Sequence, residues 1–349
     1  SSAASDVYKR QIKRILYTLL IMFPVVASAQ INTDRVMAIG RNALYFEDYV
    51  LSIQYFNQVI NAKPYLSDPY FYRGLAKINL DDFQGAESDC SEAIERNPFV
   101  VSAYQVRGLA RIQQNNFAGA IEDYTKALEF DPENIGVWHN MALCRIRQED
   151  YKGAKNDLDK LIAISPRYTK AYLMRGEVDL KQKDTLAAEK DFGKAIEIDR
   201  YDADTWASRA ILRLQQQRYK DAEADFDHAI RLSTRNSGVY INRALARYHQ
   251  NNLRGAMSDY DIALDIDPNN FIGHYNRGLL RAQVGDDNRA IQDFNFVIEM
   301  EPDNMMAIFN RGLLLDQTGD YKGAIKDYST VINDCLLYTS PSPRDRTRS

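Results

Sequence analysis

Arginine and aspartate recur along this chain in two parallel rows, and the members of each row mostly follow one another at one constant interval. The arginine row consists of Arg73, Arg107, Arg175, Arg209, Arg243, Arg277 and Arg311. The aspartate row follows it at a fixed offset and consists of Asp89, Asp123, Asp191, Asp225, Asp259, Asp293 and Asp327. Each arginine precedes a small residue and each aspartate precedes an apolar one, so both charges lie beside expected core positions. Charges in such places need partners, and a guanidinium can pair with a carboxylate through two parallel hydrogen bonds.

Two interpretations of these rows are open. The arginines could bind an anionic ligand, or the two rows could form an ion-pair ladder that joins neighbouring helices. We favour the ladder because an aspartate accompanies the arginine in nearly every interval. Removing one member of a buried pair leaves the other charge uncompensated, so we expect Arg243→Ala to destabilise the fold.

The elements that must position these charges are short amphipathic helices, as residues 271–304 illustrate. Tyr275 and Leu279 share one face of a first helix at helical spacing. Gly285 interrupts the pattern, and Pro302 ends a second helix because proline has no N–H to continue the hydrogen-bond ladder. Two helices of this length cannot bury their own apolar faces, so they need neighbouring copies.

Small residues and prolines keep the same interval as the charges. They include Ala86, Ala120, Ala154, Ala188, Ala222, Ala256 and Ala290, and Pro64, Pro98, Pro132, Pro166, Pro268 and Pro302. This pattern resembles the tetratricopeptide repeat over about residues 33–334. The resemblance implies an all-α fold, a right-handed superhelical solenoid of about nine helix-turn-helix repeats, each about 34 residues long. The repeats are expected to begin near residues 33, 67, 101, 135, 169, 203, 237, 271 and 305, with the last one truncated.

The resemblance also implies that the first helix of each repeat lines a concave face. Position six of that helix carries Asn140, Asn242, Asn276 and Asn310, and position five carries Phe71, Tyr275 and Phe309. Similar asparagines in the family hold extended peptide backbones, since an amide both donates and accepts hydrogen bonds. The alternative is that these are solvated polar positions. Position nine is a row of leucines, which we interpret as core: Leu75, Leu109, Leu143, Leu245, Leu279 and Leu313.

Composition argues against several other functions. The formal net charge of −4 and the mixture of both signs provide no basic stripe for nucleic acid. No spacing of the three cysteines and four histidines suggests a metal site. The chain has no phosphate-binding glycine loop and no nucleophile motif. We therefore predict a protein that is not an enzyme and needs no cofactor.

The two ends of the chain are expected to lie outside the fold. Residues 1–11 match the translation of a transposase sequencing adapter, and residues 335–345 match the translation of the complementary adapter. We accordingly treat residues 1–11 and 335–349 as non-native and residues 30–334 as the repeat array. On this interpretation the natural reading frame is interrupted at Asp334, so that any further domain would be missing.

Residues 12–29 have the pattern of a cleaved secretory signal peptide. Lys13 and Arg14 precede an apolar run, and residues 27–29 are Ala-Ser-Ala, a small-x-small cleavage site. The apolar run is shorter than a membrane-spanning helix requires. The mature chain would begin at Gln30, without stable membrane insertion, and its localisation would be periplasmic or envelope-associated in a Gram-negative bacterium.

The sequence therefore predicts a non-enzymatic scaffold that binds an extended peptide or a partner helix on its concave face. The alternative is a docking region of a larger exported enzyme or envelope-assembly factor whose other domain follows Asp334. The identity of the protein partner is not encoded in the repeat pattern.

Overall fold

A computed structural model describes residues 32–339, which form eighteen α-helices with no β-strand among them. The predicted signal peptide (12–29), the amino-terminal adapter segment (1–11) and residues 340–349 of the carboxyl-terminal one lie outside the described residues. Among the helices described, none combines the length and hydropathy that crossing a lipid bilayer requires.

The chain divides into two compact units, residues 1–153 and residues 154–349. The described helices of the first unit are α1 (Thr33–Tyr45), α2 (Tyr49–Ala62), α3 (Asp68–Ile78), α4 (Phe83–Arg96), α5 (Val101–Gln113), α6 (Phe117–Phe130) and α7 (Ile135–Arg147). The boundary between the units falls within α8 (Tyr151–Ile164).

The helices of the second unit that follow α8 are α9 (Thr169–Lys181), α10 (Thr185–Ile198), α11 (Ala203–Gln215), α12 (Tyr219–Leu232), α13 (Ser237–His249), α14 (Leu253–Ile266), α15 (Phe271–Gln283), α16 (Asp287–Met300), α17 (Met305–Gln317) and α18 (Tyr321–Thr339). Within each unit, the first and second helices of a repeat pack against each other, and the second helix packs against the first helix of the next repeat. The predicted all-α fold of two-helix repeats is therefore confirmed.

The turn inside each repeat depends on one residue in the left-handed conformation, at position fifteen. In the last two repeats this residue is glycine, Gly285 and Gly319, with φ of 80° and 88°. The other seven repeats place a residue with a side chain there, at φ between 59° and 64°: Glu47, Asp81, Asn115, Glu149, Lys183, Gln217 and Asn251. A Cβ atom makes this conformation costly, so tertiary packing must hold these turns in place.

Close helix approach explains the small residue at position eight. A Cβ atom added at Gly176 would lie 2.6 Å from Cε1 of Phe192, whose ring is fully buried on the second helix of the same repeat. Gly108 has the same relation to Tyr124, at 2.7 Å from the ring. The helices of these pairs are close enough that the glycine backbone lies directly on the aromatic ring, and this contact positions the charged residues beside it.

Candidate functional site

The arginine and aspartate rows meet inside each repeat. Arg243 donates through Nε to Asp259 Oδ2 at 2.9 Å and through Nη2 to Asp259 Oδ1 at 2.6 Å. The arginine side chain is 12% exposed and the aspartate side chain 1%. This bidentate geometry satisfies both carboxylate oxygens in a site that little water reaches.

The structure brings together all seven pairs that the sequence predicted. They are Arg73–Asp89, Arg107–Asp123, Arg175–Asp191, Arg209–Asp225, Arg243–Asp259, Arg277–Asp293 and Arg311–Asp327, with shortest N–O distances of 2.5 to 2.8 Å. Each pair links the first helix of a repeat to the second helix of the same repeat.

A third partner, at position twenty-five of the preceding repeat, was missed by sequence reasoning. Arg243 Nη1 donates to Asp227 Oδ1 at 2.6 Å, so the same guanidinium also joins α13 to α12. Equivalent bonds are Arg73–Asn57, Arg107–Ser91, Arg175–Asp159, Arg277–Asp261 and Arg311–Asn295. The signal was present in the sequence, because an acceptor side chain occupies this position in nearly every repeat.

Position eleven supplies a second cation to many of these carboxylates. Arg247 donates through Nη1 to Asp259 Oδ2 at 2.8 Å and through Nε to Glu223 of the preceding repeat at 2.7 Å. Arg111 pairs with Glu87, and Arg213 with Glu189, in the same relation. Lys155 is equivalent in position to Glu87 and Glu189, and Asp179 is equivalent to Arg111 and Arg213. The two charges are therefore exchanged in this pair, whose Nζ and Oδ1 atoms lie 2.5 Å apart.

The hydrogen bonds of this network stabilise the charged form of its arginines. Burial lowers the pKa of Arg243, but hydrogen bonds to Asp259 and Asp227 outweigh that effect and raise the pKa overall. The hydrogen bond to Asp191 raises the pKa of Arg175 despite burial. Because the network neutralises its own charges, most of the arginine row is not available to a ligand.

The predicted asparagines of the second unit lie on the face formed by α13, α15 and α17, which we call the first-helix face. Asn242, Asn276 and Asn310 are all half-buried there. Asn310 donates through Nδ2 to the Tyr275 hydroxyl at 3.2 Å and to the Met306 carbonyl at 2.8 Å. Asn242 and Asn276 have no side-chain hydrogen-bond partner among the described residues, so their amides are available to another molecule.

The interpretation of the leucine row as core was wrong. Leu279 and Leu313 of the second unit are each 39% exposed, and Leu109 of the first unit is 38% exposed. The remaining members, Leu75, Leu143 and Leu245, are only half-buried. Position nine lies one helical turn after positions five and six, so these leucines extend the same surface as the asparagines.

Further apolar side chains border the asparagines of the first-helix face. Met306 is 62% exposed, Ile272 50% and Phe309 41%, and Tyr275 is half-buried. Beside them is a cleft of about 260 Å³, lined by Phe271, Ile272, Tyr275, Asn304 and Met306. Contiguous exposed apolar side chains of this kind mark interaction sites.

The remaining two predicted site residues lie in the first unit. Phe71 is half-buried, with its ring centroid 5.0 Å from that of Tyr72. Asn140 is half-buried on α7. In this unit position six of the second and third repeats holds Tyr72 and the buried Val106 instead of asparagine. The uninterrupted set of asparagines is therefore a feature of the second unit.

No group of three or more histidine, cysteine or acidic side chains is arranged to hold a metal ion in the part of the chain that the structure describes. Two cysteines, Cys90 and Cys144, are buried, and burial raises their pKa values to about 12 and about 11. Raised thiol pKa values disfavour the reactive thiolate.

Comparison with solved structures supports the fold. A tetratricopeptide repeat protein from Parabacteroides merdae is 21% identical, with 71% of this chain and 98% of that chain covered and a TM-score of 0.55. Pseudomonas aeruginosa pilF is 19% identical, with 62% and 97% covered and a TM-score of 0.52. A chain of the APC/C hetero-tetramer Cut9–Hcn1 is 13% identical, with 83% and 57% covered and a TM-score of 0.55.

No curated protein matches the sequence significantly. Family models do match over much of the chain. The model described as "TPR repeat" matches residues 108–144, and two models described as "Tetratricopeptide repeat" match residues 135–168 and 169–202, and residues 208–271 and 275–333. Together with the helix pairs and their spacing, these matches show that the chain belongs to the tetratricopeptide repeat family.

Proposed function

We propose that this protein is a non-enzymatic interaction scaffold that binds an extended peptide or a partner helix along the first-helix face of the second unit, its concave face. The observation that carries the proposal is the juxtaposition of available amides with exposed apolar side chains. Asn242 and Asn276 present donors and acceptors that no described residue uses, while Leu279 and Phe309 remain partly exposed beside them.

This combination suits a peptide for a physical reason. A peptide unit carries one N–H donor and one C=O acceptor, and a primary amide can satisfy both whatever the peptide side chain is. The exposed leucines then offer apolar contact to alternate side chains of the bound segment. Amide contacts would supply affinity for backbone, and the apolar contacts would supply preference for sequence.

A peptide-display screen against the wild type and the Asn242→Ala/Asn276→Ala double variant tests the proposal. Each lost hydrogen bond should cost about 1 kcal/mol, so the affinity of selected peptides should fall about thirtyfold. Asn140→Ala is the control at the same repeat position. Asn140 lies in the first unit and, contrary to the sequence-based expectation, is not part of the surface proposed here, so this change should leave binding unchanged. Equal peptide binding by the double variant and the wild type would contradict the role of the asparagines.

Asn310 is expected to behave differently from the other two asparagines. Its Nδ2 already bonds to Tyr275 and Met306, so Asn310→Ala changes the packing of the face as well as its hydrogen bonding. Leu279→Asp tests the apolar part directly, because a carboxylate would have to be desolvated under the peptide. Leu109→Asp is its control at the same repeat position, with nearly the same exposure.

We also propose that the protein is exported. The support is the basic, apolar and small-residue pattern of residues 12–29. Expression in a Gram-negative host followed by amino-terminal sequencing of the periplasmic fraction should return a chain that begins at Gln30. A product that keeps Lys13 and Arg14 and stays in the cytoplasm would contradict export.

A further inference from the structure

Arg209 differs from the other members of the arginine row. Its Nε and Nη2 bind Asp225 at 2.8 and 2.9 Å, the pairing that the other repeats of the row also form. In the six other arginines Nη1 donates to the side chain at position twenty-five of the preceding repeat. Here that position is Gly193, and Arg209 Nη1 has no hydrogen-bond partner among the described residues.

The space that the missing side chain would fill is open. A Cβ atom placed on Gly193 meets a single neighbour within 4 Å, Arg209 Nη1 itself at 4.0 Å. In the equivalent places Asp159, Asp227 and Asp261 set a carboxylate oxygen 2.6 to 2.8 Å from the arginine nitrogen. The fold therefore builds a carboxylate-binding position here and leaves it without a carboxylate from this chain.

A cleft of about 440 Å³ lies beside this position, between α10, α11 and α12. Trp206 connects the two, because it lines the cleft and its ring centroid is 5.0 Å from Arg209 Cζ. Ile196 and Glu197, which also line the cleft, follow Gly193 by one helical turn on the same face of α10.

The cleft is positively charged and has an apolar wall. Arg200 and Arg231 line it, are exposed, and form no ion pair with any described residue. The acidic residue of the cleft, Glu197, is paired with Lys194 at 2.9 Å. The apolar wall consists of Trp206, whose ring is stacked on His228 with centroids 4.2 Å apart, and of the exposed Tyr201 and Leu232.

We propose that this α10–α12 cleft binds an acidic side chain of a partner protein, flanked in the partner by apolar residues. The partner carboxylate takes the place of the missing position-twenty-five acceptor and receives the Nη1 hydrogen bond of Arg209. Arg200 and Arg231 provide the complementary field, and Trp206, Tyr201 and Leu232 contact the flanking residues. This surface is separate from the first-helix face, so the inference does not depend on the peptide site proposed there.

Gly193→Asp tests the inference because it places this chain's own carboxylate in the open position. The probe is the blocked tripeptide acetyl-Leu-Asp-Leu-amide, and acetyl-Leu-Asn-Leu-amide is its uncharged counterpart. Binding is followed by NMR of the Trp206 indole N–H in a Trp138→Phe background, which leaves one tryptophan. The acidic probe should shift this signal saturably, and Gly193→Asp should weaken its binding at least tenfold.

Gly193→Ala is the matched control and should retain binding, because a methyl group at 4.0 Å from the guanidinium neither fills the position nor accepts a hydrogen bond. Gly193→Asp should also raise the melting temperature above that of Gly193→Ala, which checks that the variant folds and forms the internal pair. The Arg200→Gln/Arg231→Gln double variant should weaken the binding of the acidic probe and leave the binding of the asparagine probe unchanged.

The inference would be overturned by no saturable indole shift with the acidic probe, by equal binding of both probes, or by equal binding of the acidic probe to wild type and Gly193→Asp. Acetate alone, binding as tightly as the tripeptide, would show a simple anion site without partner recognition and would overturn it as well.

Discussion

Asp123 in the first unit and Asp293 in the second occupy the same position of their repeats but have different electrostatics. Each receives a bidentate arginine and a second guanidinium, Arg107 and Arg111 for Asp123 and Arg277 and Arg281 for Asp293. Burial raises the pKa of Asp123, and its arginines do not fully offset that effect. Burial acts in the same direction on Asp293, but hydrogen bonds from His274 and Arg277 outweigh it and lower the pKa.

Two side chains distinguish the sites. Near Asp123, the Glu87 carboxylate of the preceding repeat raises the pKa further, and the equivalent residue near Asp293 is the uncharged Met257. The second difference is at position four. His274 Nδ1 lies 2.9 Å from Asp293 Oδ1, and its Nε2 lies 3.0 Å from the Pro268 carbonyl oxygen. In the first unit the equivalent residue is Tyr104, which donates no such bond to Asp123. The pKa of this buried carboxylate therefore depends on its neighbours outside the arginine row, a hydrogen-bond donor at Asp293 and a second carboxylate at Asp123.

Removing the bidentate arginine should reduce the free energy of unfolding more than any other change proposed here. The size of the loss should depend on how many hydrogen-bond donors to the aspartate remain. Arg107→Ala leaves Asp123 buried with Arg111 alone and should reduce the free energy of unfolding by about 3–5 kcal/mol. Arg243→Ala, which leaves Arg247 on Asp259, should cost a similar amount. Arg277→Ala should cost less, because His274 and Arg281 still bind Asp293.

Urea unfolding followed by circular dichroism measures these three variants, with hydrogen exchange to locate the destabilised helices. Unchanged stability of Arg243→Ala would refute a structural ladder. Equal losses for Arg107→Ala and Arg277→Ala would contradict the role given to His274.

The exchanged pair Lys155–Asp179 gives a second test, of intermediate size. Lys155→Glu leaves the buried Asp179 facing another carboxylate and should destabilise the second unit by about 2–3 kcal/mol. Lys155→Glu/Asp179→Arg restores the arrangement seen at Glu223–Arg247 and should recover most of that loss. A double-mutant cycle measures the coupling, and a coupling near zero would show that the pair adds nothing to the interface.

His274→Phe isolates the donor that distinguishes the two aspartates. The change keeps an aromatic ring against Phe296, whose centroid is 4.0 Å away, but removes a hydrogen bond to a charged acceptor, which should cost about 1–2 kcal/mol. Carboxyl-detected NMR titration should show that the pKa of Asp293 rises and that of Asp123 stays unchanged. A titration of Asp293 identical to that of the wild type would contradict the comparison.

The pH dependence of stability should have opposite signs at the two sites. The pKa of Asp293 lies below its ordinary value of 3.8, so its contribution is present above that pH and is lost as the pH falls through the lowered pKa. The pKa of Asp123 lies above 3.8, so its contribution is complete below that pH and is lost as the pH rises through the raised pKa. Asp123→Asn and Asp293→Asn should each abolish one of these dependences in acid titrations of the unfolding free energy.

The smallest expected effect concerns the turn at position fifteen, where the residue type differs among the repeats. Seven repeats use a residue with a side chain, such as Glu149 at φ 61°, and the last two repeats, both in the second unit, use glycine. Glu149→Gly should stabilise the protein by about 0.5–1 kcal/mol because it removes the Cβ strain. Gly285→Ala should destabilise it by a similar amount, as measured by melting temperature.

The architecture could be predicted from the sequence because the main structural requirements recur at one interval. Most of the repeats show the same residue types at the same positions: a small residue that packs under an aromatic ring, a proline after the second helix, and an arginine opposite an aspartate. The partners at positions eleven and twenty-five were harder to find, since several residue types accept or donate equally well there. Asn57, Ser91 and Asp159 share only an acceptor oxygen.

The candidate site was less predictable for a different reason. A leucine on a helix is equally consistent with core and with surface, and only the packing of adjacent repeats shows that Leu279 and Leu313 are exposed. The asparagines of position six were visible in the sequence, but not that Asn310 already bonds to Tyr275. Departures from the repeat pattern, such as Gly193, carry the most functional information and have no periodicity to reveal them.

The exchanged charges of Lys155 and Asp179 restrict the order in which the repeats can follow one another along the chain. Among the nine repeats, Lys155 is the only cation at position twenty-one. The repeat that contains Asp179 therefore finds a residue of opposite charge only when it follows the repeat that contains Lys155. Placed after the repeat that contains Glu223, it would set two carboxylates against each other. The modules are consequently not interchangeable: shuffled arrays, and dimers that exchange segments out of register, should assemble poorly although every repeat follows the same pattern.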